Sequence, residues 1–322
     1  MFIPVVLFIA GLVLLISGGD WFVEGATGIA HRFHVPEILI GATVVSIGTT
    51  LPEVMVSATS ALSGHGEIAY GNAVGSVICN TALIAAITIA VRPSATDRRA
   101  LRTPVIFFFL AALFYMAIAY FTGRFSRNVG IVLLVIFVVY MVITVRQVKV
   151  QPQGDSSPEG SDEHRNSAVK DIGLLIVGAV LIAIGANLLV DNGTIIATEL
   201  GVPESVIALT FVALGTSLPE LVTAITSLVK GHGALSLGNV IGANLFNLVL
   251  VTGVSSVLAP FDIPGSKFIA GINSSLLVDL PLMLFVMGFL TIPALKRGRL
   301  SRWQGIILLV VYGGFCIFQF VI

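Results

Sequence analysis

Two glutamates, Glu53 and Glu220, stand inside hydrophobic stretches, each closing the same six-residue pattern. Gly48-Thr49-Thr50-Leu51-Pro52-Glu53 returns as Gly215-Thr216-Ser217-Leu218-Pro219-Glu220. A carboxylate at membrane depth costs about 2.5–3.5 kcal/mol on insertion scales, so it must face a partner or a polar cavity. Two brought together repel, and one takes up a proton unless a cation holds both. A divalent ion resolves the conflict: two carboxylates match its charge, and a hard cation such as calcium takes about six to eight oxygen ligands.

The residues around the glutamates can supply the other oxygens. Pro52 has no amide hydrogen and its ring crowds the carbonyl of Gly48, so the helix is expected to loosen there. Gly48 weakens it further. Carbonyls from Ser46 to Thr49 are then free to face an ion, which is tolerated in a membrane only where they line a site. Ser46, Thr49, Thr50 and Glu53 recur at spacings of three and four, toward one side of a helix. Ala213, Thr216, Ser217 and Glu220 repeat the arrangement, although Ala213 offers only its backbone. Asn80 and Asn247, each 27 residues beyond its glutamate, add amide oxygens. Gly71, Gly75, Gly238 and Gly242 allow close helix approach.

A lone Ser, Thr or Asn in a membrane ordinarily joins helices. A glutamate beside a proline, twice at one offset, points instead to a site. Other acids read differently: Asp20, Glu24, Glu37, Asp191, Glu199 and Glu204 fall near predicted helix ends, where capping and interfacial roles are expected. Asp279 lies inside a predicted span without an acidic counterpart in the first copy, and its role stays open. His65 and His232 read as turn residues between glycines.

The elements that must position these groups are membrane spans. Apolar residues make up 56% of the chain and charged residues 11%, too few charges for a soluble protein of this length. Polar and Gly/Pro breaks predict ten helices at about 3–30, 36–62, 67–91, 103–122, 128–147, 169–198, 203–229, 234–258, 268–293 and 302–322. The first is too long for a cleaved signal and reads as a retained span. Gln151–Asn166 is the one long polar stretch, expected to remain an unfolded tether; Asp155, Glu159, Asp162 and Glu163 lack the spacing of a calcium-binding loop. The two cysteines, Cys79 and Cys316, imply neither disulfides nor a metal motif, and nothing suggests nucleic acid or a protein partner.

Basic residues crowd the connections after odd-numbered spans, which places those connections and the tether in the cytoplasm and both termini outside, in an inner (cell) membrane. Around the motifs the chain repeats itself at an offset of 167 residues, the separation of Glu53 and Glu220. Val35-Pro36-Glu37 matches Val202-Pro203-Glu204, Gly64-His65-Gly66 matches Gly231-His232-Gly233, and Gly71-Asn72 matches Gly238-Asn239. Five spans per copy is an odd number, so the second copy enters from the opposite side, the inverted-repeat plan of secondary transporters. The expected fold is therefore all-α, ten transmembrane helices as two inverted five-helix repeats: 1–149, a cytoplasmic linker 150–168, and 169–322.

The paired motifs, with Gly71-Asn72-Ala73-Val74-Gly75-Ser76-Val77-Ile78-Cys79-Asn80 and Gly238-Asn239-Val240-Ile241-Gly242-Ala243-Asn244-Leu245-Phe246-Asn247 behind them, resemble the two α-repeats of the cation/calcium exchanger superfamily, most nearly a prokaryotic sodium/calcium exchanger. The resemblance implies antiport of calcium against sodium by alternating access, with no permanently bound cofactor. It implies calcium ligands at Glu53 and Glu220, with backbone oxygens of Thr49 and Thr216. Flanking sodium sites would use Ser46, Thr50, Ser76, Ala213 and Ser217, with Asn80 and Asn247 lining the middle. Two departures stand out: Asn247 where such sodium exchangers often carry an acid, and Ala243 where they carry a serine. The rival on the same fold is a proton/calcium exchanger, whose glutamates usually sit in a different Gly-Asn context, and a part for potassium stays open. An intramembrane protease would need a catalytic pair or metal motif, of which there is no sign, and a channel gains nothing from inverted repeats.

Overall fold

The computed structural model describes the backbone of residues 2–93, 95–150, 161–201, 215–265 and 268–321, and the side chains of these except 148–150, 161–167 and 320–321. Ten helices follow in chain order. They are α1 (Phe2–Arg32), α2 (Glu37–Leu62), α3 (Gly66–Val91), α4 (Arg98–Phe121), α5 (Arg127–Val150), α6 (Ser161–Glu199), α7 (Leu218–Val229), α8 (Gly233–Leu258), α9 (Ser275–Arg297) and α10 (Arg302–Val321). Nine of these, all but α7, are long and apolar enough among the described residues to cross a membrane. The expected seventh span is 203–229; its residues 203–214 lie outside the described residues, with Ala213 and Glu204 among them.

Long apolar runs fix most of these helices, and they fall where the hydrophobic pattern puts them. Three boundaries differ. Part of the expected tether is helical, because α6 starts at Ser161, where Ser-Asp-Glu is a sequence that opens helices. The ninth helix starts at Ser275 rather than 268, because Phe268–Ile269 pairs with Ile272–Asn273 in a two-stranded hairpin. Its turn is made by Ala270 and Gly271, both at positive φ. The fourth helix starts earlier than expected, at Arg98, where the Asp97 side chain accepts the amide hydrogens of Arg99 and Ala100 and caps it.

The two copies share local geometry residue by residue. Gly64 and Gly231 hold φ of 84° and 88°, a left-handed turn that favours glycine. The same three backbone hydrogen bonds close each turn: Ser63, Gly64 and His65 donate to Thr59, Ala61 and Ser60, while Lys230, Gly231 and His232 donate to Thr226, Leu228 and Ser227.

Their inversion is visible where equivalent helices meet. Gly11 of α1 packs on Gly185 of α6, Gly18 on Gly178, and Gly25 on the backbone of Asp171 and Leu175. Numbers rise along one helix as they fall along the other, so equivalent helices run antiparallel and the repeats are inverted. The glycines, seven residues apart, let the two backbones touch along one seam.

Connections after odd-numbered helices gather at one end of the molecule. Arg32 pairs with Asp171 at 2.9 Å, His232 Nδ1 meets Glu37 Oε1 at 2.8 Å, and Arg92 and Arg302 donate to the carbonyls of Leu228 and Val91. At the opposite end, the two-residue strand Arg124–Phe125 pairs with Phe261–Asp262, and the Gly265 amide donates to Glu67. Glu37 thus serves at a helix start as expected, whereas Asp20 and Glu24, expected near a helix end, lie inside α1, Asp20 pairing there with Lys230 at 3.2 Å. His232 is more than a turn residue, since it ties the second repeat to the start of α2.

Candidate cation site

The first motif lies in the α-helical part of α2, Ser46–Leu62, with Pro52 inside it. The loosening expected at Gly48 sits one turn earlier, as a π-helical turn at Gly41–Val45. Two carbonyls at that turn are taken by side chains: Gly41 accepts from Ser46 Oγ at 2.7 Å and Ala42 from the Tyr140 hydroxyl at 2.8 Å. Gly48 also has a packing reason, because a Cβ there would press on the ring of Phe22 in α1. In the second repeat the same residue types fold differently. Gly215–Ser217 is a 3₁₀ turn, and α7 begins at Leu218 with Pro219 in its first turn, where a missing amide hydrogen costs nothing.

Helices α3 and α8 cross the motifs and are π-helical from Asn80 to Ala85 and from Asn247 to Val251. The two asparagines therefore begin equivalent irregular turns, a feature that clusters at functional positions. Gly242 of α8 lies directly on Ala42 and Ser46, so any side chain there would displace α2. For Gly71 and Gly75 no described atom lies within 4 Å of the place a Cβ would take, so close approach is seen for the second pair of glycines only.

The polar residues divide into two groups. Thr50, Glu53, Asn80, Glu220 and Asn247 are fully buried and Ser217 nearly so. Among the described residues, both carboxylate oxygens of each glutamate, both amide atoms of each asparagine, and the hydroxyls of Thr50 and Ser217 have no hydrogen-bond partner. Leaving such groups unpaired costs about 1–3 kcal/mol each, so buried polar atoms are normally satisfied. Among the open groups these six form three pairs of mates at the repeat offset: Thr50 with Ser217, Glu53 with Glu220, Asn80 with Asn247. The helices that carry the two carboxylates, α2 and α7, are in contact.

The second group is already paired. Thr49 Oγ1 donates to Asn239 Oδ1 at 3.2 Å, and Thr216 Oγ1 to Asn72 Oδ1 at 3.2 Å. Ser46 Oγ reaches the Asn239 carbonyl at 3.0 Å and its Oδ1 at 3.3 Å, while Ser76 Oγ donates to Asn72 Oδ1 at 3.4 Å. Asn72 Nδ2 in turn donates to the Glu53 carbonyl at 3.3 Å and to Ser57 Oγ at 2.8 Å. Asn72 and Asn239 escaped the sequence reading as site residues, although the matched Gly-Asn pairs carried the signal. Tyr140 escaped it altogether, having no marked spacing. Asp279 accepts from Gln319 Nε2 at 3.1 Å and lines one cavity with Asn72, Ser76 and Thr216. Among the described residues no three His, Cys, Asp or Glu cluster as a resident metal site would require.

A helical membrane protein of two inverted repeats, with paired acids at their meeting point, is built as a transporter and not as an enzyme. The chain belongs to the sodium/calcium exchanger protein family, whose sequence model matches residues 3–146 and 170–321. It is 34% identical over 305 residues to an uncharacterized membrane protein of Methanocaldococcus jannaschii, covering 95% of this chain and 94% of that one. It is 30% identical to the sodium/calcium exchanger MaX1 of Methanosarcina acetivorans, over 98% of both chains. Among solved structures, the sodium-calcium exchanger NCX_Mj superposes with a TM-score of 0.82 at 32% identity, over 97% of both chains.

Proposed function

We propose that this protein exchanges calcium for sodium across the cell membrane by alternating access, with calcium held between Glu53 and Glu220. The observation that carries the reading is the set of three symmetry-related pairs of buried oxygens with no protein partner. A hard cation takes oxygen ligands of this kind, and the two negative charges balance one divalent ion. Sodium, sharing the same carboxylates, displaces calcium by competition, using Thr50, Ser217 and Ser76 as neutral ligands. The empty carrier seldom reorients, because two uncompensated carboxylates are costly to carry through a closed state.

Named relatives favour sodium as the driving ion: MaX1 and NCX_Mj both carry sodium/calcium exchange in their names. Asn247 gives the middle of the site less negative charge than an acid would. The basic end of the molecule is the cytoplasmic one, which leaves both termini outside.

The test is calcium uptake into sodium-loaded proteoliposomes at fixed pH with the membrane potential clamped. Uptake that rises with the outward sodium gradient is expected. Uptake indifferent to sodium and following an imposed pH difference would make the proton exchanger the right reading.

A further inference from the structure

Each repeat sends one asparagine across to the motif of the other. Asn239 of α8 accepts from Thr49 in α2, and Asn72 of α3 accepts from Thr216 ahead of α7, both at 3.2 Å. The two contacts are mates at the repeat offset, and the threonines they hold stand next in sequence to Thr50 and Ser217, whose hydroxyls are open. We propose that Asn72 and Asn239 are positioning residues, which turn the motif threonine of the opposite repeat so that its backbone carbonyl faces the cation.

A threonine hydroxyl has one proton, and for Thr49 the Asn239 amide oxygen at 3.2 Å is a nearer acceptor than the Ser46 carbonyl at 3.5 Å. Held by the asparagine amide oxygen, it fixes the rotamer of Thr49 or Thr216 and, through it, the peptide that joins it to the open residue. Asn239 uses only its oxygen toward α2; its Nδ2 is buried and has no partner. The two braces are unequal. Asn239 also receives Ser46 Oγ, whereas the partner position of Ser46 is Ala213, which has no hydroxyl. Loss of Asn239 therefore disturbs the first motif more than loss of Asn72 disturbs the second.

The inference rests on the cation site proposed above, and the experiment separates the two. Asn239→Leu, Thr49→Val and the double variant are compared in the full-length protein. The readings are KM and turnover for calcium in sodium-driven uptake, and calcium affinity by calorimetry in detergent. Each single variant should raise KM and weaken calcium binding about three- to tenfold, the span of one hydrogen bond, with turnover changed less. The double variant should be no worse than the poorer single one, because both remove the same contact. Thr49→Ser, which restores the hydroxyl, should lose less than Thr49→Val. Asn72→Leu with Thr216→Val gives the mirror cycle, and alanine replaces leucine if a variant elutes as aggregate. Losses that multiply in the double variant, or single variants with wild-type affinity, overturn the brace and leave the exchanger intact. Non-additive calcium binding without sodium-driven uptake would support the brace and overturn the exchange reading. Wild-type protein that neither binds calcium nor transports it overturns both.

Discussion

Glu53 and Glu220 are fully buried, and in the proposed exchanger each substitution at these positions removes charge that the cargo must meet. Glu53→Gln and Glu220→Gln should each abolish calcium uptake while the protein elutes and melts as a folded monodisperse species, since an uncharged amide of equal size is cheaper to bury. Near-normal uptake by either folded variant would refute the paired-carboxylate site. A smaller difference between the repeats makes a second prediction. Asn72 Nδ2 finds Ser57 at 2.8 Å, but the residue matching Ser57 is Ala224, buried and without a hydroxyl, and Asn239 Nδ2 has no partner. Ala224→Ser should supply one and stabilise the protein by about 0.5–1.5 kcal/mol, read as a higher thermal midpoint in detergent. An unchanged or lowered midpoint would refute it. The glutamates and Asn80/Asn247 were legible because charge and amides at membrane depth are costly wherever they occur. The braces were not, because a hydrogen bond from Thr49 to Asn239 depends on how α2 and α8 cross, which spacing along one helix does not contain.

At the scale of elements, hydropathy located the spans because a helix must satisfy its own backbone in lipid. It missed the 268–273 hairpin, whose apolar residues do not reveal that Ala270 and Gly271 reverse the chain. It also predicted equal behaviour from two near-identical motifs. The first is interrupted by a π turn upstream, and the second starts a helix through a 3₁₀ turn. The same Pro is thus internal to one helix and in the first turn of another. The seam between α1 and α6 gives the element-scale prediction. A Cβ on Gly18 would stand 2.9 Å from the Gly178 carbonyl oxygen, the Ile182 amide nitrogen and the Leu181 Cβ. Gly18→Val should cost about 1–3 kcal/mol through overpacking, and scanning calorimetry would detect it. A variant as stable as wild type would mean the two helices are not held at this spacing in solution.

The whole molecule shows two ends of different character, one tied by Arg32–Asp171 and His232–Glu37, the other by short strand pairs. Inversion requires that matching turns lie at opposite ends. With Cys79 and Cys316 replaced, a cysteine in place of His65 should react with an impermeant thiol reagent from outside, and one in place of His232 only from the cytoplasm. Labelling of both from one side would refute the topology. The assignment of ends rests on counting basic residues, which sequence supplies in full. That the odd-numbered connections meet one another is visible only in three dimensions. The crossed contacts of Thr49 with Asn239 and Thr216 with Asn72 carry a consequence for how such a molecule is made and inherited. In the proposed site neither half of the chain supplies a complete binding centre, so a translated first half is an incomplete product awaiting its complement, and a gene for one half would need a second polypeptide in reverse orientation. Cutting the gene within 151–160 should therefore yield two fragments that are inert when made singly and restore calcium uptake when made together, each serving as the template on which the other is completed.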